Sequence, residues 1–204
     1  MNLADFETEL IATVDENTLL NFCRRTVLHG TPFVFSAREP DHFSFKQRIA
    51  NKYNINHTEV YIVGSAKLGF SPHKKTDFSL DSDIDIAIVS HQLANYLSDL
   101  GLELEYGIRS SQINFRHKEW NDYHNYLRYG AMGWIRPDLI PTKQPMQNFK
   151  NEWFDFFKSI SHDKSEVGNY SVTAGIFRSV LHLEKYTTNS LRKIKNQMEV
   201  AARA

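Results

Sequence analysis

The sequence predicts an α+β protein in which a small mixed β-sheet lies between two helical regions. Two short runs rich in β-branched residues, Val60–Val63 and Ile84–Val89, predict strands in the middle of the chain. Apolar residues at helical spacing dominate on either side of this region. We therefore divide the 204 residues into an N-terminal helical segment (1–57), a central core (58–146) and a C-terminal helical segment (147–204).

The N-terminal segment contains signals for two helices. Asp15 or Asn17 can cap a helix that runs from residue 18 to about residue 28, with Gly30 as its end. Residues 31–35 then predict a short extended link. Asp41 is expected to open a second helix over residues 42–53.

The remaining elements follow from the spacing of apolar residues. Residues 90–100 predict a helix that ends at Gly101, and the alternation in residues 102–106 predicts a third strand. Beyond residue 147 the pattern is again helical. Two faces are expected there, formed by Phe149, Trp153, Phe156, Phe157 and Ile160 and by Ile176, Val180, Leu183 and Leu191.

Composition limits the classes of protein to be considered. Hydrophobic residues make up 41% of the chain, which is typical of a folded domain. The 24 basic and 24 acidic residues cancel, so a nucleic acid would have to bind a local patch. A single cysteine, Cys23, excludes an internal disulfide and suits a reducing compartment. The sequence shows neither a signal peptide nor an apolar run of membrane-spanning length, so we expect a cytoplasmic protein with no membrane partner.

Two carboxylates in the central core suggest a metal site. Asp83 and Asp85 stand at positions i and i+2 of a predicted strand, so both project from one face, while Ile84, Ile86 and Ile88 point the other way into a core. Adjacent acids repel each other unless a cation neutralises them. Mg²⁺ is commonly held by one or two carboxylates together with substrate phosphates. An isolated pair of this kind is otherwise a solvated strand end.

A glycine turn precedes the two acids. Gly64 and Ser65 directly follow the first predicted strand and precede a short helical stretch that contains Lys67. A glycine at a strand-to-helix turn lets a phosphate approach the backbone, and the amides at the helix start favour an anion. Gly64, Ser65 and Lys67 are therefore our candidate nucleotide-binding residues. On its own, the Gly-Ser pair would indicate only a turn.

Together these motifs resemble a known family. Val63-Gly64-Ser65, followed after seventeen residues by Asp83-Ile84-Asp85, is similar to the G-S … D-x-D signature of the DNA polymerase β-like nucleotidyltransferase superfamily. The resemblance covers roughly residues 58–90. It implies that Gly64 and Ser65 hold a triphosphate and that Asp83 and Asp85 coordinate Mg²⁺. The spacer is longer than is usual in the family.

The resemblance also implies a third acid on a later strand, for which the chain offers two places. Glu103 and Glu105 lie on the predicted strand at 102–106, where they could equally form its solvated face. In an extended segment, Trp134, Arg136 and Asp138 would share a face and present a ring, a guanidinium and a carboxylate. We take Asp138 as the third catalytic candidate beside Asp83 and Asp85.

The resemblance implies transfer of a nucleotidyl group from ATP or another nucleoside triphosphate. The acceptor would be RNA, a protein hydroxyl or a second nucleotide, and the size of the chain fits stand-alone bacterial enzymes of toxin–antitoxin or phage-defence systems, with a protein partner as a further expectation. The alternative is a catalytically degenerate module that binds nucleotide or a partner. A glycosyltransferase and a purely helical interaction module are further rivals. No P-loop motif occurs, and the nine histidines lack zinc-ligand spacing.

Overall fold

The computed structural model describes residues 1–202 and confirms the α+β class, with helices on both sides of a small mixed sheet. The helices are α1 (Leu3–Ile11), α2 (Glu16–Cys23), α3 (Glu39–Tyr53), α4 (Gly64–Leu68), α5 (His91–Arg109), α6 (His117–Ala131), α7 (Met146–Ser159) and α8 (Val180–Ala201). The strands are β1 (Val60–Val63), β2 (Phe70–Ser71), β3 (Thr76–Asp77), β4 (Ile84–Val89), β5 (Trp134–Ile135) and β6 (Val172–Phe177). Within residues 1–202, no helix is both long and apolar enough to span a bilayer.

Two of the three N-terminal helices, α2 and α3, form close to where the sequence predicts them, and α1 is an additional helix. Asp15 caps α2 by accepting a hydrogen bond from the amide of Thr18 at 2.8 Å, and a π-helical turn at Arg24–Leu28 continues this helix. The helix α3 begins three residues before its predicted start because Pro40, with its fixed φ, suits a first helical turn. The link between the two helices is not fully extended, since Phe33–Phe35 forms a 3-10 turn.

The main sheet has the strand order β1-β4-β6-β5. The strand β4 pairs antiparallel with β1 and parallel with β6, and β5 pairs antiparallel with the outer side of β6. The strands β2 and β3 form a separate hairpin between β1 and β4. The two central strands, β4 and β6, are therefore far apart in the sequence and are joined by a long crossover through α5, α6, β5 and α7.

The prediction of a strand at 102–106 is wrong. The helix α5 continues through Gly101 as far as Arg109. Its buried leucines recur at helical spacing, and their packing against the core outweighs the cost of an interior glycine, about 1 kcal/mol. These buried leucines are Leu93, Leu97 and Leu104. Glu103 and Glu105 therefore lie on a helix.

The prediction that Ile176 belongs to a helical face is also wrong. Residues 172–177 form β6, a central strand of the sheet, and the last helix begins only at Val180. The residues predicted as a C-terminal helical segment thus contribute one strand between α7 and α8. The helices α7 and α8 themselves agree with the predicted pattern.

Apolar residues pack against both faces of the sheet. On one face, Ile84, Ile86 and Ile88 enter the main core together with Trp153 of α7. On the other face, a smaller cluster formed by Ala87, Val89, Phe177 and Leu183 packs the sheet against α8. This second cluster covers only part of its face, and the uncovered part holds the polar residues described next.

The N-terminal helices lie against α8 on the same side of the sheet. Phe6, Leu19 and Leu191 belong to the apolar cluster between them. Arg24 binds Glu184 through a bidentate ion pair, with Nε 2.6 Å from Oε1, and the carboxylate of Glu184 is buried. These contacts fix the helices around the edge of the polar cleft.

Candidate functional site

Asp83 and Asp85 lie at the start of β4, on the face opposite the main core. The predicted alternation is confirmed, because the three isoleucines of β4 are almost fully buried while both aspartates are exposed. The two carboxylates are near enough for the charge of Asp83 to raise the pKa of Asp85. Both acids therefore lie at the same end of β4, and Asp85 lines a cleft there.

The turn between β1 and α4 is in direct contact with Asp85. Val63 is paired with Asp85 across the antiparallel strands, so Gly64 begins α4 beside the carboxylate. Gly64 has a φ of +66°, and a Cβ at this position would lie 2.9 Å from Oδ2 of Asp85. Both the backbone conformation and the close approach require glycine here. Ser65 follows in the first turn of α4.

Thr173 of β6 completes the immediate surroundings of Asp85. The two residues are register partners in the parallel pair, and the Thr173 hydroxyl donates a hydrogen bond of 3.0 Å to Oδ1 of Asp85. Oδ1 is thereby held while Oδ2 is directed at the turn. The sequence analysis missed Thr173 because residues 172–177 were read as helical, although Val172-Thr173-Ala174 has the apolar-polar-apolar pattern of a strand.

Burial is the main influence on the ionisation of Asp85. The side chain is accessible from the cleft, but protein atoms enclose most of its surroundings, and this raises the pKa of its carboxyl above the ordinary value. The charge of Asp83 raises it further. The hydrogen bond from Thr173 and the positive charge of Lys74 act in the opposite direction.

None of the three predicted candidates for a third acid joins this pair. Asp138 is exposed and binds Arg136, with Oδ2 2.6 Å from the guanidinium nitrogen. Glu105 binds Arg109 and the hydroxyl of Tyr123 on the helical layer, and Glu103 is exposed on the same helix. Among residues 1–202, no group of three or more His, Cys, Asp or Glu side chains could hold a metal ion. The strand β6 beside β4 presents Thr173, and no carboxylate, next to Asp85.

Trp134, Arg136 and Asp138 do lie together, although only Trp134–Ile135 is a strand and Pro137–Leu139 is a 3-10 turn. The guanidinium of Arg136 lies 5.6 Å from the centroid of the Trp134 ring. All three residues line the same cavity as Gly64 and Asp85, which has a volume of about 810 Å³. The structure therefore joins the two regions predicted from the sequence into one cleft.

Lys67 lies apart from this cleft. Its side chain is buried, and its ammonium donates hydrogen bonds to the carbonyl oxygens of His29 and Gly30, the latter at 2.8 Å. Lys74, on the hairpin between β2 and β3, is instead close enough to influence the pKa of Asp85. The position of Lys67 favours a structural role, whereas Lys74 places a positive charge near Asp85.

We expect Lys67→Met and Lys74→Met to have opposite effects. Lys67→Met removes the hydrogen bonds from the ammonium to the carbonyl oxygens of His29 and Gly30, so the free energy of unfolding should fall by about 1–3 kcal/mol with no change in nucleotide affinity. Lys74→Met should leave the melting temperature unchanged and weaken binding of a nucleoside triphosphate. Thermal unfolding and isothermal titration calorimetry on both variants measure the two effects. Weaker nucleotide binding by a fully stable Lys67→Met variant would restore Lys67 to the binding site.

Comparison with known protein families, with curated proteins and with solved structures gives no match for this chain.

Proposed function

We propose that this protein is a Mg²⁺-dependent nucleotidyltransferase that moves a nucleoside monophosphate from a nucleoside triphosphate to a hydroxyl acceptor. The observation that carries this proposal is the contact between the Gly64 turn and the carboxylate of Asp85. A phosphate bound at the turn would lie directly beside an acidic group, which is an unfavourable arrangement unless a cation lies between them. A nucleoside triphosphate that binds together with Mg²⁺ would supply both the phosphate and the cation.

The donor groups of the site fit Mg²⁺ that is shared with a substrate. Asp83 and Asp85 would hold the ion through hard carboxylate oxygens, and the phosphates of the nucleotide would supply further oxygens. Such a site does not need a third protein carboxylate to bind metal and nucleotide together. When bound, Mg²⁺ neutralises the developing negative charge on the phosphates and lowers the pKa of the acceptor hydroxyl.

The residues of the chain have separate tasks in this scheme. Gly64 gives the phosphates access to the backbone, and Ser65 offers a hydroxyl and an amide at the start of α4. Thr173 holds Asp85 in one orientation through its hydrogen bond. In the reaction, the acceptor oxygen bonds to the α-phosphorus, the bond to the β-phosphate breaks, pyrophosphate leaves, and the acceptor proton passes to solvent.

Thr173 also favours a second candidate function. A threonine at the position beside Asp85 means that this strand offers no carboxylate to draw a cation towards the acceptor. A protein with this site could bind nucleotide without transferring it. In either case we propose ATP or another nucleoside triphosphate as the ligand and the cytoplasm as the setting, since Cys23 is a buried free thiol.

The two candidates are distinguished by labelling. Purified protein is incubated with each α-labelled nucleoside triphosphate, Mg²⁺ and cell extract, and both macromolecular label and pyrophosphate are measured. A transferase labels RNA, protein or nucleotide and releases pyrophosphate, and EDTA abolishes both signals. Tight binding without pyrophosphate release would instead establish the binding module, and no binding of any nucleotide would reject both candidates.

Asp83→Asn and Asp138→Asn form a matched pair within the same assay. Both replacements are isosteric and remove one exposed carboxylate. We expect Asp83→Asn to lower the transfer rate on the order of 100-fold or more, because it removes half of the carboxylate pair. Asp138→Asn should stay within about tenfold of the parent rate, since Asp138 is engaged by Arg136. Loss of transfer in Asp138→Asn alone would make Asp138 the missing third acid.

A further inference from the structure

An aromatic wall extends the cleft beyond Asp85. It consists of Trp134 on β5, Phe177 on β6 and Tyr186 on α8. The Trp134 and Phe177 rings are nearly parallel, with centroids 6.0 Å apart, and the Tyr186 ring lies 4.5 Å from that of Trp134. Phe177 is buried behind the other two, whereas Tyr186 has 42% of its surface exposed. The accessible part of the wall is therefore formed by Tyr186 and Trp134.

The sheet leaves space for the Trp134 ring because residue 175 is a glycine. Gly175 of β6 lies under Trp134, and a Cβ at this position would be 3.0 Å from the indole Nε1. A larger side chain at residue 175 would lift the indole away from the sheet. The Arg136 guanidinium also contacts both the Trp134 ring and the Tyr129 ring, with distances of 5.6 and 5.3 Å to their centroids. Trp134 is thus held in a fixed orientation.

The wall and the acidic site belong to one cavity. Gly64, Asp85, Trp134 and Tyr186 all line the same space of about 810 Å³. Burial raises the pKa of the Tyr186 hydroxyl, the charge of Asp85 raises it further and Arg136 opposes this shift, so both charges act on Tyr186. The strand β5 is two strands away from β4, which corresponds to roughly 10 Å.

We propose that the aromatic wall binds the nucleobase of a nucleotide whose phosphates lie at Gly64 and Asp85. This inference rests on the proposed function, since it places the base of the same substrate class. Flat aromatic faces stack on any base, and the hydroxyl of Tyr186 and the guanidinium of Arg136 add polar groups at the edges of the wall. A nucleotide that reaches from the turn across β4 and β6 brings its base to Tyr186 and Trp134.

The test compares a ligand that has a base with one that lacks it. Binding of ATP and of inorganic triphosphate, each with Mg²⁺, is measured by calorimetry on the parent protein, Tyr186→Ala and Tyr186→Leu. We expect both Tyr186 variants to lose about 10- to 100-fold in ATP affinity and to keep the affinity for triphosphate. The leucine variant retains apolar volume, so a loss shared by both variants reflects stacking. Tyr96→Ala is the control, because Tyr96 is similarly exposed (50%) but lies on α5 outside the cleft.

Tryptophan fluorescence gives a second reading that does not depend on transfer. ATP should quench the emission of Trp134 and triphosphate should not, and the difference should vanish in Trp134→Phe. Equal affinities for ATP and triphosphate in every variant, without quenching, would overturn the aromatic subsite and leave the proposed function standing. Failure of both ligands to bind would overturn both.

Adenosine tests whether the wall holds the base of the bound triphosphate. If saturating ATP prevents any further quenching of Trp134 by adenosine, the two compounds compete for the wall, as the proposal requires. If adenosine still quenches Trp134 while ATP is bound, the base of ATP lies elsewhere and the proposal is wrong. An absence of quenching by either compound also contradicts it.

Discussion

Asp85→Asn is expected to abolish nucleotidyl transfer and, at neutral pH, to raise the melting temperature. The loss of transfer should be on the order of 1,000-fold or more, because the variant removes the carboxylate nearest the turn at Gly64, where we propose that the phosphates bind. The gain in stability has a separate cause. Although Asp85 is accessible from the cleft, protein atoms surround much of its carboxylate and Asp83 lies nearby, so the neutral amide is accommodated more easily than the ionised group. Asparagine keeps an oxygen that can accept the hydrogen bond from Thr173.

The pH dependence of stability shows whether the ionised carboxylate of Asp85 destabilises the folded protein. The pKa of Asp85 is raised in the folded protein above its ordinary value of 3.8. Its protonated form therefore contributes stability that is fully present below pH 3.8 and is lost as the pH rises through the folded-state pKa. Thermal unfolding across this range should show the difference between the parent protein and Asp85→Asn growing with pH. A difference that stays constant with pH would show that the ionisation of Asp85 does not cause the effect, and a less stable variant at pH 7 would show that Asp85 is a stabilising residue.

Gly64→Ala is expected to damage both stability and nucleotide binding. Alanine at a φ of +66° costs roughly 1–2 kcal/mol in backbone energy, and its Cβ would lie 2.9 Å from Oδ2 of Asp85. The carboxylate must then move, which disturbs the hydrogen bond with Thr173 and closes the approach to the turn. We expect a nucleotide affinity at least about tenfold weaker and a melting temperature several degrees lower. Calorimetry and thermal unfolding measure the two losses.

Gly168→Ala isolates the backbone contribution. Gly168 has a φ of +84° and no atom within 4 Å of the position that a Cβ would take. This variant should lose stability through strain alone and bind nucleotide as the parent protein does. If Gly64→Ala and Gly168→Ala behave alike in both measurements, the contact between the turn and Asp85 has no role in binding.

The sequence predicts those parts of the site that depend on residues close together in the chain. A short β-branched run identifies β4, and the alternation within it places Asp85 opposite the isoleucines. Gly64 follows another such run, so the strand-to-helix turn could also be expected. The contact between Gly64 and Asp85 follows from the antiparallel pairing of β1 and β4, which are consecutive strands of the main sheet.

The parts that the sequence does not predict depend on contacts between residues far apart in the chain, or on a spacing of apolar residues that suits both a helix and a strand. In β6, Ala174 and Gly175 are poor strand residues, and Ile176 happens to stand at helical spacing from Val180 and Leu183. The residues after Gly101 alternate as a strand does, yet tertiary packing of Leu104 keeps them helical. The partnership of Thr173 with Asp85 has no local signal, because 88 positions separate the two residues.

The central place of β6 has a consequence for how the protein is made. Because β6 enters the sheet between β4 and β5, the ribosome must translate past Phe177 before the cleft can exist. Until then Asp85 lacks its hydrogen bond from Thr173, and Trp134 lacks its contact with Gly175. The edge of β4 is also open to pairing with other chains. A nascent or prematurely terminated chain would carry the motifs at Gly64 and Asp85 without a working site. Activity would therefore appear only late in synthesis, and the open edge would make shortened products prone to aggregation.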